Sequence, residues 1–216
     1  MTFTNSLRKF ILTTHVTTSV GWIGALAVFF AHAVASLLSQ DELIVRAVSI
    51  AMGITAWLVI LPLCLATLAT GIVQALGTAW GLLRHYWVVF KLFLTVAATA
   101  VLLLKLGPIS DLAEMAAEPG FSTGDLIGSR TSMAVHAAGG LVVLILAVGL
   151  AIYKPQGITP YGRRKRSGSM GLEGRIETTE SVPLWVKVFA GMVALLLVMI
   201  GFMLLGGGHG PAGHVR

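Results

Sequence analysis

The chain has 216 residues, 56% of them hydrophobic and only 11% charged, with a mean hydropathy of +0.88. A water-soluble domain of this length needs polar residues spread over its surface, so the composition excludes one. The net charge of +6 does not point to nucleic acid, because the excess is concentrated in Arg163, Arg164, Lys165 and Arg166, the kind of basic loop that orients a membrane protein.

Five apolar stretches follow one another at residues 10–38, 47–76, 86–106, 132–153 and 183–205. Each reaches or exceeds the roughly 20 residues a helix needs to cross about 30 Å of hydrocarbon. The connections are too short to fold alone, so the expected fold is all-α: one membrane domain over residues 1–216, built as a bundle of five transmembrane helices. Arg8 and Lys9 precede the first stretch, whose apolar run is about twice the 7 to 15 residues of a secretory signal, so it reads as an uncleaved span. Pro62 lacks a backbone donor and should kink the second span. Thr67, Thr70, Gly71 and Gln74 follow it, either as a polar seam or as ordinary small-residue helix contact.

Placing the basic segment in the cytoplasm fixes the topology as N-terminus in and C-terminus out, in the plasma (inner) membrane. Arg84 then lies inside, and Lys91 and Lys187 can snorkel to that face. The outer connections hold Asp41, Glu42, Asp111, Glu114, Glu118 and Asp125 against Arg46, Lys105 and Arg130. Gly107-Pro108 should end the third span and Ser110 or Asp111 cap a short outer amphipathic helix over about 110–118. The basic loop 154–182 has no apolar face and is expected to be mobile, with anionic lipid as the partner of Arg163, Arg164, Lys165 and Arg166.

The chemistry-bearing residues at membrane depth are histidines, which are expensive there and need partners. His15 and His85 fall toward the inner face, His32 and His136 toward the outer one. A haem takes two axial imidazoles at one level, so the depths suggest b-type haem held by His32 with His136 and by His15 with His85, and electron transfer between the faces. His15 and His32 are 17 positions apart and point about 100° from each other, which calls for two partner helices. Gly21 and Gly24, and Gly139 and Gly140, sit beside these histidines and either admit a flat macrocycle or pack small against a neighbouring helix.

A second reading takes Met199 and Met203 with His209 as soft ligands for copper, and the chain as a copper-handling or small-solute permease. A third makes it a non-catalytic assembly subunit that binds another membrane protein or a second copy of itself. The single cysteine, Cys64, excludes an internal disulfide, a four-thiolate cluster and covalent haem attachment. Hydrolysis has no Ser/His/Asp set, no His-Glu-x-x-His and no membrane-buried carboxylate pair to carry it.

His15 with Gly21-Trp22-Ile23-Gly24, then Thr70-Gly71, then Trp80-Gly81-Leu82-Leu83-Arg84-His85-Tyr86-Trp87 leading to Lys91-Leu92, resembles a group of small, uncharacterised actinobacterial integral membrane proteins. The histidine followed by Gly-Trp-x-Gly is also similar to families distantly grouped with the copper-resistance D proteins. The resemblance covers about residues 10–165 and implies membrane location, with no activity attached to it.

Overall fold

A computed structural model describes residues 3–77, 81–120 and 124–167, and then 183–188, 190, 191, 193, 194 and 198. Helix α1 spans Asn5–Leu38, α2 Glu42–Thr55, α3 Leu61–Leu76, α4 Tyr86–Ala117, α5 Ile127–Tyr153 and α6 Pro160–Ser167. A π-helical stretch, Ala56–Ile60, joins α2 to α3, so Glu42–Leu76 is one continuous span. Among the described residues four helices are long and apolar enough to cross a membrane: α1, α2 to α3, α4 and α5. The protein is a multi-pass membrane protein by that measure. The fifth expected span begins as helix at Leu184, and most of it lies outside the described residues, as do Met199, Met203 and His209.

The chain divides into two compact units, Met1–Lys165 and Arg166–Arg216. In the first, consecutive spans run antiparallel. Thr4 caps α1 by accepting from the Leu7 amide, and Asp41 caps α2 by accepting from Leu43 at 2.9 Å. Helix α1 packs against α2, α3 and α5, while α4 packs against α2, α3 and α5, which closes a ring of four spans. Inside the ring lie Trp22, Phe29, Met52, Ile60, Leu106, Leu112 and Leu144. Outside it, Phe10, Leu58, Leu104 and Ile145 are exposed, a belt of apolar surface suited to lipid and not to water.

The two ends differ in charge. Phe3 lies against Gly77, and the α5 to α6 connection lies against Arg84, which puts Arg8, Lys9, Arg84, Arg163 and Arg164 at one end, the basic end. At the opposite, acidic end, Arg46 reaches Glu42 at 3.9 Å and donates to the Ala117 carbonyl at 3.1 Å. Arg46 therefore caps the last turn of α4, where exposed carbonyls favour a cation.

Several expectations need correcting. Helix α4 does not stop at Gly107-Pro108; it continues through Pro108 to Ala117, so no separate short helix forms at 110–118. Ile109, Leu112 and Ala116 are buried on that extension, and α4 packs against α2. Tertiary burial outweighs the one backbone bond that the proline removes. Consequently Asp111 and Glu114 sit on a helix and not in a loop. Arg130 is likewise no loop residue: it lies in the first turn of α5, buried, with Nε donating to Ser36 Oγ at 3.0 Å. The first part of the basic loop has contacts and a helix of its own: Thr159 Oγ1 donates to the Leu83 carbonyl, Ile158 bridges to His85, and α6 follows. Residues 168–182 of that loop lie outside the described residues.

Pro62 acts one turn early. Without its N–H the helix cannot close the bond to Leu58, and the backbone widens to the π form over Ala56–Ile60 directly before it.

Candidate polar site between α1, α3 and α4

His15 is buried on the α1 face that meets α3. It fits because Gly71 has no side chain: a Cβ there would stand 3.0 Å from His15 Cε1. The ring is held at both nitrogens. Nδ1 lies 3.0 Å from Thr70 Oγ1, and Nε2 lies 3.1 Å from the Lys91 ammonium of α4.

The tautomer follows from counting protons. Thr70 Oγ1 has one hydrogen and spends it on the Ala66 carbonyl at 2.6 Å, so toward His15 it accepts. The imidazole therefore carries its proton on Nδ1, and its Nε2 lone pair accepts from Lys91. The sequence runs Lys91 to His15 to Thr70 to Ala66, each group donating to the next.

A polar stripe continues from Lys91 along α4. Thr95 donates to the Lys91 carbonyl and Thr99 to the Thr95 carbonyl, each at 2.8 Å. Since Thr99 has spent its hydrogen, the Cys64 thiol of α3 donates to Thr99 Oγ1 at 3.1 Å. Both threonine side chains stay on one face because residues four apart in a helix do. The spacing Lys91, Thr95, Thr99 is the sequence signal for this stripe, a weak one because hydroxyls bonded back to carbonyls are commonplace in membrane helices.

Beside the His15–Lys91 pair lies a cavity of about 100 Å³, lined by both residues and by Thr67, Gly71, Gln74, Trp87 and Thr95 among others. That is several times the roughly 10 to 15 Å³ of such space that one water needs, and short of the roughly 300 to 1,000 Å³ of drug-sized pockets. Thr67 is buried, and its hydroxyl has no partner among the described atoms.

Lys91 does not snorkel to the basic face as expected; it turns inward to His15. His85 occupies the N-cap position of α4, its backbone bridged to Ile158, and at His15 Nε2 the residue that α4 supplies is Lys91. The seam and small-residue readings of α3 both hold, since Thr70 bonds to His15 while Gly71 lets the ring approach.

At the acidic end, His136 Nδ1 lies 2.7 Å from the Ser132 carbonyl and must donate to it. Its Nε2 is buried without a hydrogen-bond partner, and so is His32 Nδ1. Leu26 lies against Gly140 and Ser36 bonds to Arg130, so α1 and α5 run in a register that sets His32 level with Ala134, within about one turn of His136. The glycines divide: Gly21 takes Leu63 and Gly140 takes Leu26, whereas Gly24 and Gly139 meet no described atom within 4 Å. Among the described residues no three of His, Cys, Asp and Glu converge as a metal site. No known protein family, curated protein or solved structure matches this chain.

Proposed function

We propose that this protein is a small-solute permease of the plasma membrane, with its solute site in the cavity beside His15 and Lys91. The observation that carries the reading is a lysine turned away from the near membrane face and bonded to a histidine on the wall of a cavity between the spans. A charged group at membrane depth costs several kcal/mol, is retained for function more than for stability, and characteristically marks a solute or ion path. The stripe of Thr95, Thr99 and Cys64 extends polar groups from that cavity toward the middle of the bundle. With the basic end in the cytoplasm, the cavity belongs to the inner half of the membrane, and Arg163 and Arg164, both exposed, face anionic headgroups.

The test is osmotic swelling of vesicles carrying the purified protein, with a panel of small neutral and charged solutes. At least one solute should enter faster than in empty vesicles, and Lys91→Met should remove the difference. A panel with no Lys91-dependent member refutes the permease.

The acidic end supports a second reading, b-type haem between His32 and His136 with electron transfer across the membrane. His136 donates from Nδ1 to a carbonyl and keeps a buried Nε2 lone pair, the arrangement in which a histidine serves as a metal ligand. At the basic end His15 has no lone pair to offer while Lys91 holds it. A reduced-minus-oxidised visible spectrum of protein from haem-supplemented cells decides: a b-type signal lost in His136→Ala supports this reading, and a flat difference spectrum removes it.

A further inference from the structure

We propose that the open side of the cavity between α3 and α4 seats an anionic phospholipid from the leaflet at the basic end, its head against the Lys91 ammonium and an acyl chain along Leu68, Ile72 and Leu92. This goes beyond the permease reading and does not rest on it. The first argument is the shape of the cavity. Apart from His15 of α1 and Leu82 of the connection between α3 and α4, every described lining residue belongs to α3 or α4. His15 is therefore the floor and the two helices are the walls, and none of the lining comes from α5, so the space lies in the side of the ring and not at its centre. Helix α3 packs closely on α1 and only sparsely on α4, which leaves the groove open on the side away from α1. Leu68, Ile72 and Leu92 are partly exposed there, toward the medium outside the ring, which in a membrane is lipid.

The second argument is polarity along the groove. It begins at Leu82 and Trp87, at the basic end, and reaches Thr95, nine positions and about 14 Å into α4. Lys91 stands five positions in, about 8 Å below the first residue of the helix, and is partly exposed on the groove. Its ammonium donates one N–H to His15 Nε2 and has two more to offer. Below it the wall turns apolar at Leu68 and Leu92. Hydrocarbon alone would not solvate the ammonium, and water alone would wet the leucines; a phospholipid presents a polar head and then a chain in that same order. A zwitterionic head would bring its own cation toward Lys91 and the basic end, so the preference is for a lipid of net negative charge.

Width selects the lipid over a second copy of the chain. A helix with its side chains is roughly 10 to 12 Å across. A groove of about 100 Å³ admits a flexible alkyl chain between Ile72 and Leu92, whereas a helix would have to part α3 from α4.

The experiment is native mass spectrometry of the purified full chain, taken from vesicles of phosphatidylcholine and phosphatidylglycerol in equal amounts. A single phosphatidylglycerol should stay bound to each chain, about five- to tenfold in preference to phosphatidylcholine. Lys91→Gln removes the charge and should erase the preference. Leu92→Trp fills the groove without touching the His15–Lys91 bond and should release the retained lipid. The double variant Arg163→Gln with Arg164→Gln weakens attraction at the surface and should leave the retained lipid in place. Equal retention of the two lipids by the parent chain, or no retention, overturns the proposal. So does a preference that survives Lys91→Gln and disappears with the two arginines. A lipid-free dimer split by Leu92→Trp overturns it too, because a second copy then covers the groove. The permease is judged separately: a Lys91-dependent lipid without solute flux keeps this seat and removes transport, and Lys91-dependent flux without a retained lipid does the reverse.

Discussion

Thr70→Val tests the proton order through the polar site. Valine keeps the volume of threonine and removes the oxygen that accepts from His15 Nδ1 at 3.0 Å. The Ala66 carbonyl keeps its helical bond, so the loss falls on the imidazole N–H, which is left with the Thr67 carbonyl as its acceptor. A fully orphaned buried donor would cost about 1 to 3 kcal/mol, and interhelical hydrogen bonds in membranes average about 0.6 with a maximum near 1.7. A loss of about 1 to 2 kcal/mol follows, and for a protein of this size that is a fall of about 2 to 8 °C in melting temperature. Thr70→Ser retains the acceptor and should lie within about 2 °C of the parent chain. The assay is fluorescence-monitored unfolding in one detergent, with His15→Leu and the double variant completing a mutant cycle. Removing both partners should cost less than the two single losses together. Equal melting of Thr70→Val and the parent, or equal loss in the serine and valine variants, would show that His15 does not donate to Thr70.

Gly53→Leu should destabilise the α2 to α4 contact by about 1 to 3 kcal/mol, since even a Cβ would stand 2.8 Å from that of Ala113; Gly139→Ala, with no described atom within 4 Å, should be tolerated. Comparing their melting temperatures checks the packing, and equal effects contradict it. Ser36→Ala takes the acceptor from the buried Arg130 Nε and should cost about 1.5 kcal/mol, about 3 to 6 °C, in the same assay. Cys64 is fully buried with its thiol on Thr99, so a maleimide should label it only after denaturation; rapid labelling in native micelles is the contrary result.

Apolar length alone made the first four spans legible, because a membrane imposes a length that hydropathy reports directly. Their ends were less legible, since a terminus depends on contacts that periodicity does not carry. Ile109 and Leu112 bury themselves against a neighbour and draw α4 past a Gly-Pro pair that would stop an isolated helix. At the site, His15 and the α3 residues Thr67, Thr70 and Gln74 stood out as polar groups among apolar ones, and their neighbourhood is where the cavity lies. The role of Lys91 was not legible. A lysine one and a half turns inside a span has two physical outcomes, reaching back to the interface or turning inward, and the choice rests on whether an acceptor waits on another helix. His15, 76 positions away in sequence, is that acceptor.

The π-helical stretch at Ala56–Ile60 divides the second span into two lengths with separate phases. Helix α2 answers to α4 through Gly53 and Ala113, whereas α3 answers to α1 through Leu63 and Gly71. A widened turn absorbs the angular mismatch between these two engagements, so the rod has a clutch at its middle. Removing a single residue there closes the wide turn to the α form and leaves the two halves near their present phase, whereas removing one from the α-helical turns on either side turns one half by about 100° against the other and shifts it by about 1.5 Å. Either the seat of His15 or the seam with Ala113 would then be lost, and the span could not keep both.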